Sequence, residues 1–152
     1  GASGLQADMR SWKSHAKLPN TQEQANIREA GIHLRDVWGA TDPEARACGL
    51  MVVDPLWHCC FCFVVEGHNP KGFIAHNPVN PANKHEIYVD RQYTTTKYTP
   101  EGLALILWAE WWHMEYGTNE KLAQEKLKEF RSRHNADHVV PEMIHGTTDH
   151  GD

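Results

Sequence analysis

The chain lacks a glycine-rich phosphate loop. Neither GxxxxGK[ST], GxGxxG nor GxSxG occurs, which removes sequence support for P-loop, dinucleotide-binding and hydrolase chemistry. It has no apolar run near the ~18–20 residues that span a bilayer, so no membrane segment is expected. Its first residues, GASGLQADMR, show no charged start followed by an apolar stretch, so no signal peptide is read there. GAS itself is read as the remnant of an expression tag. Cationic clusters are also missing. Lys and Arg number 15 against 20 Asp and Glu, for a net charge of −5. Phosphate contacts need a concentrated basic face, so nucleic acid is not the expected partner. The densest basic stretch, KLKEFRSR at 126–133, reads as the solvated side of a helix.

Cysteine is present but poorly placed for disulfides. Of the four, Cys59 and Cys60 are adjacent, so on a strand their side chains leave opposite faces. That favours reduced thiols and a cytoplasmic setting, including that of a virus-encoded protein. In LWHCCFCFVVEG, residues His58, Cys60 and Cys62 share a face about 7 Å apart at each step. Zinc draws its ligands to within about 2.0–2.3 Å of one point. Three consecutive same-face positions on a flat strand do not converge that closely. These residues are therefore read as packing, and no metal is expected.

What is present fits one domain of 152 residues. Residues 1–20 read as a flexible arm, 21–135 as a single α+β domain, and 136–152 as an acidic, His-containing tail. The segment TQEQANIREAGIHLRDVWG begins with Thr21 and Gln24 at capping-box spacing. Its Ile27, Ala30, Leu34 and Trp38 recur at helical intervals. Asp42-Pro43 starts a short further turn. The apolar runs CGLMVVD, WHCCFCFVVE and GFIAH and the alternating HEIYVD then read as strands. Their short connections predict an antiparallel sheet of about four or five strands. Thr99-Pro100-Glu101 is a helix start with cap, proline at the first position and an acid in the first turn. The helix to Gly117 is apolar on nearly every side, which predicts burial. A last amphipathic helix, NEKLAQEKLKEFRSRH, presents Leu122, Ala123, Leu127 and Phe130 and is the expected cover. Within the buried helix, Glu110 and His113 face the same way at i, i+3. A di-metal bundle needs more such motifs than this one, so the pair is read as hydrogen-bonded core.

The stretch VDRQYTTTKYTPEG is a strand, a hydroxyl-rich loop and a helix start. Amides of the loop and helix end, with Thr94, Thr95, Thr96 and Thr99 and the charges of Arg91 and Lys97, form a candidate anion site. The alternative is an ordinary, well-capped connection.

The order of these elements resembles the GNAT acyltransferase superfamily over about residues 22–117. FVVEG, a turn and GFIAH resemble that family's hairpin. EIYVD resembles its central strand, and the helix bearing AEWWHMEYG the helix that follows. The family's Q/R-x-x-G-x-G/A loop motif is not present. The resemblance implies an acyl-CoA-dependent N-acyltransferase type of domain. Acetyl-CoA would lie at Arg91, Thr94, Thr95, Thr96, Lys97 and Thr99, and Glu86 would be the candidate catalytic base. The second class of function is a non-catalytic binding protein, such as a virus-encoded or accessory factor, acting on a protein partner or as a homodimer.

Overall fold

The computed structural model describes residues 16–54, 62–64, 75–76, 87–117 and 119–139. Among the described residues, four α-helices carry the fold: α1 Thr21–Ile32, α2 Pro43–Val53, α3 Pro100–Tyr116 and α4 Glu120–Arg133. A π-helical turn, His33–Val37, and a 3-10 turn, Trp38–Ala40, join α1 to α2. Among the described residues, strand consists of four pieces of two or three residues: β1 Ala16–Lys17, β2 Cys62–Val64, β3 Ala75–His76 and β4 Tyr88–Asp90. They align in the order β1-β2-β4-β3. The β2–β4 pairing is parallel, and only the two outer pairings are antiparallel.

This helical assembly overturns the expected α+β architecture. The predicted antiparallel sheet of four or five strands is not what organises the chain, and the GNAT-like frame goes with it. The clearest correction is 48–54, expected as a strand. Residues 48–53 are the second half of α2, and Asp54 is its extended cap. Asp42 caps that helix by accepting from the amides of Glu44 (3.0 Å) and Ala45 (3.3 Å), and Pro43 supplies the preset first turn. Ala45, Cys48, Gly49 and Val52 are the residues it buries. Those positions recur at i, i+3, i+4, i+7, the helical period. The apolar run of 48–54 hid a stripe that begins three residues earlier. HEIYVD also departs from half-burial, since 87–90 are all buried.

Other expectations hold. Ile27, Ala30, Leu34 and Trp38 are all buried. The capping box of α1 exists one residue earlier than expected. Asn20 accepts from the Glu23 amide at 2.8 Å, and Glu23 Oε1 accepts from the Asn20 amide at 3.3 Å. Thr99 caps α3 by accepting from the Gly102 amide at 3.0 Å. α3 ends at Gly117, whose φ of 105° suits a residue without a Cβ.

α3 is the centre of the molecule. Leu103, Ala104, Leu105, Ile106, Leu107 and Trp108 are fully or almost fully buried. Instead of lying across a sheet, the helix is enclosed chiefly by α1, α2, the π turn and α4. α4 covers it as expected. Phe130 stacks on Trp108 with ring centroids 4.2 Å apart, and Ala123 and Leu127 are buried beside it. Leu122, expected in the same stripe, is 38% exposed. Offset aromatic stacking adds about 0.5–1.5 kcal/mol to the burial itself.

Candidate functional site

The loop of 91–99 is a filled connection docked on α1. Thr94 is fully buried, and its hydroxyl donates to Glu23 Oε2 at 2.6 Å. Its carbonyl accepts from the Asn26 carboxamide at 2.9 Å. Tyr98 donates to Glu29 Oε1 at 2.7 Å; burial and that carboxylate push its phenol pKa up. Thr95 donates to the Arg91 carbonyl at 2.9 Å. The Gln92 amide donates to Asp90, those of Thr95 and Lys97 to the Gln92 carbonyl, and that of Tyr98 to the Thr95 carbonyl. Thr99 is occupied in capping α3. Arg91 lies 3.4 Å from the buried Glu23 carboxylate, an ion-pair distance rather than a hydrogen bond. Lys97 sits 5.8 Å from the centre of the Tyr93 ring. Thr96 is exposed. The structure thus gathers Arg91 and Thr94 around Glu23, while Thr95, Thr96, Lys97 and Thr99 serve the turn or face solvent. Sequence could have offered Glu23 as the partner, because it sits at the third position of a capping box. Nothing in the sequence sets it opposite Thr94.

Glu86, the candidate base, lies outside the described residues, as do His58, Cys59 and Cys60. Among the described residues, no group of three or more His, Cys, Asp or Glu side chains is arranged to hold a metal ion. Nor is any helix there long and apolar enough to cross a membrane.

Two polar knots join the helices. In the first, both ring nitrogens of buried His113 meet acceptors. Nδ1 is 2.8 Å from the Gly117 carbonyl, and Nε2 is 3.1 Å from Glu120. A neutral imidazole donates from only one nitrogen, so the charged ring satisfies both. Burial works against that charge. The Glu120 hydrogen bond, the Glu110 charge and the Gly117 carbonyl outweigh it and raise the His113 pKa. Glu110 thus acts on His113 by its charge within α3, and His113 fastens α3 to α4 through Glu120.

The second knot is centred on Asp42, which is 5% exposed. One of its oxygens caps α2. The other receives His134 Nε2 and Arg133, each at 2.7 Å. Burial acts to raise the Asp42 pKa, but hydrogen bonds from His134, Arg133 and the Ala45 amide hold it below the ordinary value. His134 in turn stacks on Trp38, with centroids 5.3 Å apart and planes 26° apart. The start of α2 is thereby tied to the end of α4.

α2 and the π turn meet backbone to backbone. A Cβ at Gly49 would lie 2.4 Å from the Arg35 nitrogen, closer than real side chains come. Large apolar side chains stand outward on these two segments. Val37 is 57% exposed and Leu50 47%. Ala40 and Ala47 are exposed as well. Asp36, held by Arg35 at 2.8 Å, also feels the charge of Arg46. Among the described residues these two segments carry two of the exposed large apolar side chains, Leu18, Tyr116 and Leu122 being the others. No protein-family model, curated protein or solved structure matches the chain.

Proposed function

We propose that the chain works by docking a protein surface, in the first place a second copy of itself, on the face shared by the π turn and α2. The observation that carries this is the exposure of Val37 and Leu50 on two segments locked by the Gly49 contact. A rigid apolar surface loses little conformational freedom on binding. Fully burying a Val or Leu side chain is worth about 1.5–3 kcal/mol, and here roughly half of each remains to be buried. A two-fold interface matches one patch to itself. This patch carries both an acid, Asp36, and a base, Arg46, so a second copy offers each the opposite charge.

Sedimentation velocity over a wide range of concentration tests the reading. The sedimentation coefficient should rise with concentration for the native chain. It should stay at the monomer value in the double variant V37E/L50E, with thermal stability unchanged. A native chain that remains monomeric throughout overturns the proposal. So does association that survives the double variant.

A further inference from the structure

We infer that His33, Trp38, His134 and Asp42 form an acid-opened latch that holds the π turn against the carboxyl end of α4. The inference is independent of the docking face proposed above and comes from the interior side of the same segment. The π turn spans His33–Val37, and the amide of Trp38 donates to the His33 carbonyl across five residues. That wider turn brings the two side chains together. Their rings meet edge to face, with centroids 4.6 Å apart and planes at 80°. Trp38 then inserts among the residues of α4, edge-on to Phe130 at 5.4 Å and stacked on His134 at 5.3 Å. His134 is anchored by its 2.7 Å contact with Asp42. Isolated π turns are rare and recur at functional positions.

The proton enters at His33. Its Nε2 is buried and has no hydrogen-bond partner among the described residues. Neutral imidazole tolerates this when Nε2 is the unprotonated nitrogen. Imidazolium does not, because it then carries a buried N–H without an acceptor. The charges around the ring are Glu29 on α1, Glu101 on α3 and His134 at the end of α4. Burial is the largest influence and His134 acts in the same sense. Both outweigh the two glutamates, so the His33 pKa is lowered. Asp42 is already engaged by Arg133 and His134, and so compensates His134 rather than His33. The closed latch is therefore complete above the ordinary histidine pKa of 6.5 and is lost as pH falls through the lowered value in the closed state. Opening frees the His33 ring to water and withdraws Trp38 from Phe130 and His134.

Hydrogen–deuterium exchange followed by mass spectrometry tests this between about pH 8 and 5, the range in which histidine charge changes. Rates are corrected for intrinsic pH dependence. Acidification should remove protection selectively from 33–41 and 130–139, reversibly, while the centre of α3 keeps its own. In His33→Phe, which keeps an aromatic ring and cannot titrate, that selective loss should disappear. Uniform protection in the native chain on acidification overturns the latch, and so does the same loss in H33F. If H33F does not fold, the native His33 ring decides by NMR titration. A midpoint below 6.5 supports the latch, and one at or above 6.5 refutes it.

Discussion

Gly49→Ala sets two effects of opposite sign against each other. Alanine is favoured over glycine inside a helix by about 1 kcal/mol, and Gly49 lies within α2. On propensity alone the substitution would stabilise the protein. The added Cβ, however, would lie 2.4 Å from the Arg35 nitrogen and 2.7 Å from its Cα. These are backbone atoms of the neighbouring turn, so no rotamer change relieves the overlap. Overpacking of this kind costs about 1–3 kcal/mol, and a rigid backbone neighbour places it at the upper end. The net expectation is a loss of about 2 kcal/mol. For a chain of this size each kcal/mol moves the melting midpoint by about 2–4 °C, so the fall should be about 4–8 °C. Urea denaturation followed by far-UV circular dichroism gives the same quantity as a lower midpoint at unchanged slope. Ala47→Gly, on the exposed side of the same helix, isolates the propensity effect and should cost about 1 kcal/mol. A G49A protein as stable as the parent, or more so, would refute the claim that α2 and the π turn are in backbone contact.

Thr94→Val removes the hydroxyl that donates to the buried Glu23 carboxylate and should cost about 1–3 kcal/mol in denaturation experiments. Thr95→Val, at an exposed position, should stay within about 0.5 kcal/mol of the parent. His113 has a raised pKa in the folded state. Its stabilising contribution is therefore fully present below 6.5 and fades as pH rises through the raised value. Chemical denaturation at a series of pH values should show the decline, and His113→Gln should flatten it. Cys48 is completely buried and burial pushes its thiol pKa well up. Peptide mapping after maleimide treatment of the native protein should find Cys48 unmodified, and labelled only in denaturant.

Local signals in the sequence located the ends of α3 and α4, but not those of α1 and α2. The Thr99-Pro100 start of α3 was readable because capping is a contact between residues two or three apart. The covering role of α4 was readable too, because a helix without a polar face has to be enclosed. The identity of 48–54 was misread, although 45, 48, 49 and 52 carry the helical period. A short apolar run is ambiguous when the start of its stripe is assigned elsewhere. The threonine loop looked like an anion site because its residue types suit one. Whether hydroxyls face a ligand or a buried carboxylate depends on what lies across from them. Glu23 and Thr94 are 71 positions apart in the chain.

Sequence alone therefore determined where the helices of the latter half begin and end, and that α3 must be buried, because those properties arise from neighbouring residues. Only the tertiary structure decided that helices rather than a sheet enclose α3. It also decided that Thr94 serves Glu23 and that Trp38 stacks on His134. Each of these is a contact between distant segments, fixed by which surfaces fit closely enough to exclude water.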